Sequence, residues 1–132
     1  MPKGEDTLAV ERSLFISELL KRSYLKKRTF RALLLKSRNP ELTFQEIARR
    51  LGVQQPAAWK CWKKGRDAVL RAFFTLKVAI HAGLLDLDTI DLLLEDLQDY
   101  HLYLSGGATL DEVRYRIERR TLELIRRMQP KS

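Results

Sequence analysis

Apolar residues recur along this chain at steps of three and four, the spacing of an amphipathic helix. Five such positions predict a first helix over about residues 7–22: Leu8, Phe15, Ile16, Leu19 and Leu20. A second helix is predicted over about residues 24–38. It ends at Asn39-Pro40, because proline disfavours helical backbone in the residue before it. The pattern leaves open whether these two helices are one bent helix.

The next two helices have clear start and stop signals. Thr43-Phe44-Gln45-Glu46 has the form of a capping box, and Gly52 permits the left-handed backbone that stops a helix. A new helix is predicted from Gln55-Pro56 to about residue 82, since proline is accepted at a first helical position. Six of its residues are expected to face inward: Ala58, Trp62, Gly65, Val69, Phe73 and Leu76.

Two further helices are predicted after Gly83. Asp86 or Asp88 caps the first, which ends at Ser105-Gly106-Gly107, and a second capping box at 109–112 opens the last, which runs to about residue 128. In this last helix Leu110, Val113, Ile117 and Leu124 are expected to share the inward face. Two helices of similar length joined by a short glycine-containing turn indicate an antiparallel hairpin.

No segment alternates apolar and polar residues as a half-buried strand does. The predicted fold is therefore all-α, with N-terminal helices and a helix-turn-helix in residues 1–82 and a helical hairpin in residues 83–132.

Composition narrows the class of protein. Of 132 residues, 45% are hydrophobic and 32% are charged, as in an ordinary globular domain. No apolar run is long enough for a membrane span, and no basic segment precedes an apolar core as in a signal peptide. Cys61 is the single cysteine, so no disulfide can form within the chain. We expect a cytoplasmic or nucleoid-associated protein without a membrane partner.

Charge is unevenly distributed. The chain has 25 Lys and Arg and 17 Asp and Glu, a formal charge of +8. Residues 1–82 contain 18 basic and 7 acidic side chains, a difference of +11, whereas residues 83–132 contain 7 and 10, a difference of −3. A basic half joined to an acidic half concentrates the positive field, which favours a polyanionic partner.

Residues 43–66 carry the strongest functional signal. A small residue, Ala48, is expected where two helices cross, and Gly52 is expected at the turn with Val53 filling the space beneath it. This spacing is typical of a helix-turn-helix, whose second helix lies in the major groove of DNA while the first braces it.

The chain also resembles a known family over about residues 25–75. The segments Leu25-Lys26-Lys27-Arg28, LTFQEIARRLGV and KCWKKGRDAVLRAF are similar to region four of bacterial sigma factors and its archaeal relatives. In that family the corresponding helix-turn-helix binds promoter DNA in the major groove, so the resemblance implies duplex DNA as a partner. Nothing similar to the other sigma regions is found, so a complete sigma factor is not expected.

Helix geometry divides the candidate DNA contacts into two groups. Gln54, Gln55 and Ala57, at the entering end of the second helix, are expected to read base edges, because glutamine pairs with adenine and an alanine methyl contacts thymine. The remaining candidates are expected to bind phosphates: Lys26, Lys27, Arg28, Arg31, Thr43, Lys60, Lys63, Lys64 and Arg66.

Trp59 allows two interpretations. It lies about 100° from the core direction of its helix, so an exposed ring could stack on an unpaired base. The alternative is that Trp59 packs against the preceding helices.

Catalytic chemistry is not expected. Cys61, His81 and His101 follow one another at intervals of 20 residues, without the short spacing of zinc ligands. Asp88, Asp91, Glu95 and Asp99 form an acidic row that could bind a divalent metal, but such a row is more typical of a solvated stripe or a partner for the basic helix at 114–127. We predict no enzyme activity and no cofactor.

The last two helices carry more apolar surface than one facing helix would cover. Self-association is therefore predicted through residues 84–128, giving a homodimer that presents two helix-turn-helix units. The alternative is that this surface buries the helix at 7–22 of the same chain.

Three hypotheses about function follow. The first is a sequence-preferring double-stranded DNA-binding protein, a transcription regulator. The second is a non-specific chromatin-like or single-strand binder that uses the basic faces and Trp59. The third is a helical adaptor that contacts protein, such as the transcription machinery.

Overall fold

The computed structural model describes residues 14–130, and every regular element in that range is a helix. The chain divides into two compact units, Met1–Thr75 and Leu76–Ser132. The elements, in order, are α1 (Leu14–Arg22), α2 (Lys27–Arg38), α3 (Phe44–Leu51), α4 (Gln55–His81), α5 (Leu87–Leu104) and α6 (Leu110–Arg127). The predicted all-α class is confirmed. No described helix combines the length and the hydropathy needed to cross a membrane.

The link between α1 and α2 is a true break in the helix. The Ser23 hydroxyl donates to the Leu20 carbonyl at 2.9 Å and accepts from the Leu25 N–H at 3.1 Å. A serine that binds local backbone groups competes with the helical hydrogen bonds. The two helices are therefore separate, and α2 begins at Lys27, three residues later than predicted. Residues 7–13 of the predicted first helix lie outside the described residues.

The first unit is built around a core of small and aliphatic side chains. Its buried members are Ala32, Leu35, Ile47, Ala48, Leu51 and Ala58. They come from α2, α3 and the first turn of α4. Five partly buried residues pack around them: Leu42, Phe44, Val53, Cys61 and Trp62.

Local chemistry sets the ends of α3. The Thr43 side chain accepts from the Glu46 N–H at 3.2 Å, and Gly52 has φ +70°, the left-handed conformation that glycine adopts at low cost. The Val53 N–H donates to the Ala48 carbonyl at 3.0 Å and so closes the turn. Among the described residues, only Thr109 and Glu112 form both hydrogen bonds of a capping box. At residues 43–46 the one capping bond is that from the Glu46 N–H to the Thr43 hydroxyl oxygen.

Gly65 allows α2 and α4 to approach closely. A Cβ at this position would lie 2.6 Å from Leu33 Cδ1 and 2.8 Å from Cγ2 of buried Thr29. Gly65 lies on the inward face, as predicted. Because α2 passes so close to α4 at this position, there is no room for a side chain.

Farther along α4, the predicted inward face is wrong. Phe73 is 60% exposed and Val69 is also exposed, while the buried residues of α4 are Ala58 and Gly65. At ~1.5 Å per residue, α4 is about 40 Å long, whereas α2 and α3 are about 18 and 12 Å long. Helices this short cover only the first turns of α4. The apolar residues farther along α4 keep the helical spacing, but α2 and α3 do not reach them.

The second unit pairs α5 with α6. The Asp86 side chain caps α5 by accepting from the Thr89 N–H at 2.8 Å, and Thr109 and Glu112 cap α6 reciprocally at 3.3 and 3.2 Å. Val113 and Ile117 are the buried apolar residues of α6. Leu110 is exposed, although it was expected inward, because it lies at the first position of the helix.

Ion pairs fill much of the contact between α5 and α6. Arg120 binds three carboxylates of α5: Asp96 at 2.9 Å, Glu95 at 3.1 Å, and the buried Asp99. Arg116 lies 3.6 Å from Asp99 and Arg127 lies 3.8 Å from Asp88. The acidic row thus serves as the partner of the basic helix, one of the two interpretations that its spacing allowed. Burial raises the pKa of Asp96, and the hydrogen bond from Arg120 opposes that rise.

Gly65→Ala is expected to lower the free energy of unfolding. Crowding against Thr29 and Leu33 costs about 1–3 kcal/mol, which outweighs the ~1 kcal/mol that alanine otherwise adds to a helix. Urea unfolding measures the difference. Leu33→Ala in the Gly65→Ala background should recover part of the loss, and a Gly65→Ala chain as stable as the original would contradict this packing.

Arg120→Met is expected to cost roughly 3 kcal/mol, because it leaves Asp96 and the buried Asp99 without their main partner. Arg126→Met is the matched control: it breaks an exposed pair with Glu123 and should cost far less stability than Arg120→Met. The stability deficit of Arg120→Met should shrink as the pH falls. Removing Arg120 removes the hydrogen bond that opposes the rise in the pKa of Asp96, so the folded variant takes up a proton at a higher pH than the folded original chain does. Equal losses for the two variants would contradict the proposed role of Arg120.

Candidate nucleic-acid interface

The start of α4 presents two exposed glutamines. The turn that begins at Gly52 leads directly into Gln54 and Gln55, and the Ala58 N–H donates to the Gln54 carbonyl at 3.1 Å. Ala58 is fully buried in the core, which directs the opposite side of this first turn to solvent. Ala57 is half-buried, so of the three predicted base-reading residues it is the least accessible.

Four cations follow the glutamines within three turns, and all four are exposed: Lys60, Lys63, Lys64 and Arg66. Lys63 Nζ lies 5.2 Å from the centroid of the Trp59 ring, and Arg66 lies 5.2 Å from that of Trp62. Arg66 also contacts Asp67 at 3.2 Å, an exposed pair of low energy that solvent or an anion can replace. Within residues 14–130, Lys60 and Lys64 have no ion-pair partner.

Trp59 is 44% exposed. Its ring is neither buried by the preceding helices nor fully solvated, and the ammonium of Lys63 covers part of it. Base stacking by Trp59 stays a prediction.

A second group of cations lies where α2 begins. Lys26, Lys27 and Arg28 are exposed, Lys26 is the N-cap residue without a side-chain cap, and the first turn of α2 has no acidic residue. Cations at the positive end of a helix dipole are unfavourable, so an anion is attracted there. A groove of about 440 Å³ between α1 and α2 is lined by four cations and an apolar floor: Lys21, Lys26, Lys27, Arg31, Leu20, Leu25 and Phe30, with Ser17 at its side.

Thr43 caps α3 in addition to being a predicted phosphate contact. It is exposed, and its hydroxyl oxygen accepts from the Glu46 N–H at 3.2 Å. The hydroxyl proton remains available for a phosphate oxygen, in the same orientation that caps α3.

Two basic residues near the site are missing from the predicted phosphate contacts, and a third lies in the basic stretch that precedes the motif. Arg49 and Arg50 are exposed in the last turn of α3, directly before the Gly52 turn. Lys36 does not face outward as a phosphate-binding cation would. Its Nζ donates to the carbonyls of Pro40 and Leu42 at 2.8 and 2.7 Å and lies 5.2 Å from the centroid of the Phe44 ring. The Arg49-Arg50 pair beside the turn could have been predicted from the sequence as a phosphate contact. Nothing in the sequence indicated that Lys36, unlike its basic neighbours, binds backbone carbonyls.

The other candidates for chemistry were Cys61, His81 and His101. Cys61 is half-buried against the core, and His81 and His101 are exposed on α4 and α5. Across the described residues, no three His, Cys, Asp or Glu side chains are grouped so that they could hold a metal ion.

No family of known proteins, no curated protein and no solved structure matches this chain.

Lys36→Met is expected to lower the free energy of unfolding by about 1–3 kcal/mol, since the part-buried Leu42 carbonyl loses its charged donor. Lys64→Met removes an exposed lysine without such contacts and should change stability by less than about 0.5 kcal/mol. Hydrogen exchange in α3 should accelerate in the Lys36 variant alone. Similar behaviour of the two variants would show that Lys36 does not hold the link between α2 and α3.

Proposed function

We propose that this protein is a sequence-preferring double-stranded DNA-binding protein that acts as a transcription regulator. In this proposal the first three turns of α4 enter the major groove and α3 braces them across the backbone. One observation carries the proposal: exposed Gln54 and Gln55 stand at the start of α4, and exposed cations follow them, while Ala58 anchors the same turns in the core.

The order of side chains along α4 suits the two tasks of DNA recognition. Gln54 and Gln55 can each pair with an adenine edge through both amide atoms, and glutamines at the end of a helix can reach deepest into a groove of about 12 Å. Lys60, Lys63 and Lys64 lie farther along the helix, where they would meet the phosphates that border the groove.

A second set of phosphate contacts is proposed at the start of α2. Lys26, Lys27 and Arg28 combine three positive charges with the positive end of a helix, an arrangement that a phosphate would stabilise. Arg31 borders the adjoining groove, and Thr43 begins α3. The excess of +11 over residues 1–82 supports a polyanion as the partner.

The proposal predicts different effects for a base-reading and a phosphate-binding residue. Selection from random duplex DNA would first identify a preferred site. Gln54→Ala should then lose about tenfold or more in discrimination between that site and its single-base variants. Lys60→Ala should weaken all duplexes alike and reduce the slope of log K against log salt by about one. Arg119→Ala on α6 is the charge-matched control and should leave discrimination unchanged.

The outcomes separate the alternatives. If Gln54→Ala and Lys60→Ala act alike, the division of roles is wrong. If no site is enriched while binding stays strongly salt-dependent, the protein is a non-specific binder. Absence of duplex binding at moderate salt would instead favour an adaptor that contacts protein.

A single-strand binder is the second candidate, because Trp59 is 44% exposed and the ammonium of Lys63 lies over its ring. Stacking on an unpaired base is worth about 1–3 kcal/mol and needs no particular sequence. Single strands that outcompete the selected duplex, together with loss of that preference in Trp59→Ala, would favour this candidate.

A further inference from the structure

One row of side chains on α5, apolar at five of its six positions, is largely exposed. Residues 87, 90, 94, 97, 101 and 104 follow one another at alternating steps of three and four, the 3.5-residue period of a coiled-coil seam. They are Leu87, Ile90, Leu94, Leu97, His101 and Leu104, and are called the outer seam below. Its four leucines are 76%, 49%, 65% and 67% exposed in chain order.

The opposite face of α5 has a different composition. Its more buried residues are Thr89, Leu92, Asp96, Asp99 and Tyr103, again at steps of three and four. Asp96 and Asp99 of this set bind Arg120 of α6. The helix thus directs Asp96 and Asp99 toward α6 and four of its leucines toward solvent, the reverse of the usual arrangement for a surface helix.

We propose that the outer seam pairs with the outer seam of a second copy of this chain, so that two α5–α6 pairs form a four-helix bundle. The exposed parts of the four leucines amount to roughly 400 Å² per copy, and with flanking residues two copies would bury on the order of 1,000 Å², the lower range of specific interfaces. A two-fold axis would place the same surface of each copy in contact. The two surfaces can fit together because both carry side chains at the same 3.5-residue spacing.

Charge supports a second copy as the occupant. Residues 84–104 contain no Lys or Arg, and Asp91 is the one charged residue at the four positions that flank the seam, with Leu93, Gln98 and Tyr100 at the others. With no Lys or Arg on α5, the flanking charges that meet across two copies of the seam can only be carboxylates, and one flanking carboxylate per copy causes little repulsion. A strongly acidic or basic partner would find few charges here to pair with.

This inference does not depend on the DNA proposal, and its test uses no DNA. Sedimentation equilibrium of the full chain measures mass as a function of concentration. The expected mass is twice that of the chain at high concentration, with dissociation on dilution. Leu97→Lys should weaken the dimer by roughly a hundredfold or more, because it introduces two facing charges into the seam.

Leu122→Lys is the matched control. Leu122 is a leucine of α6 with 64% exposure, close to the 65% of Leu97, but it lies on the side of α6 away from the buried Val113 and Ile117. This variant should retain the dimer, and circular dichroism should show the original helix content in both variants.

Two results would overturn the inference. One is an original chain that stays monomeric at all concentrations, which would favour the segment at 7–22 of the same chain as the cover of the seam. The other is a dimer that Leu122→Lys disrupts and Leu97→Lys does not.

Discussion

Close approach at three alanines determines how the first unit presents its outer surface. Ala32, Ala48 and Ala58 are buried together where α2, α3 and the start of α4 meet, and Gly65 extends the close approach of α4 to α2. A side chain of one carbon lets helix backbones lie near each other, while a larger one would push them apart. Because the inner side of α4 is fixed in this way, its outer side is fixed too. The glutamines and lysines of that side owe their exposure to the alanines beneath them.

The second unit depends on charge where the first depends on apolar contact. Arg120 binds carboxylates of α5, and Asp99 among them is buried. Ion pairs of this kind often contribute little net stability, but breaking one leaves a buried charge, so they disfavour other pairings of the helices. Using polar residues inside leaves apolar residues for the outside. The outer seam consists of apolar residues that lie on the solvent side of α5 because polar residues take the side that faces α6. Self-association was predicted through residues 84–128, and the proposed dimer uses one face of α5 within that range.

Local signals predicted most helix ends, because the residues that end a helix act on their own backbone. Gly52, Asp86 and Thr109 stand where the sequence analysis put a stop or a cap. Predictions of burial and of side-chain partners failed where they depended on other elements of the fold. Val69 and Phe73 continue an apolar period correctly, but α2 and α3 are too short to cover them. The acidic row indicated a partner for the helix at 114–127 but not that Arg120 would bind three carboxylates of α5. Lys36 carried no signal for the loop carbonyls that it binds, which lie near it only once the backbone is folded. The exposed cations of α4 were predicted from its helical period alone, whereas their use in DNA binding stays a proposal.

The most direct test of the account is a map of the amides that respond to duplex DNA. Backbone amide chemical shifts of the isotope-labelled chain would be recorded before and after addition of a selected duplex at moderate salt. The account predicts changes concentrated at residues 54–66, with a second group at 26–31 and little change in α5 and α6. Changes confined to α5 and α6, or none at 54–66 while the duplex is bound, would contradict it.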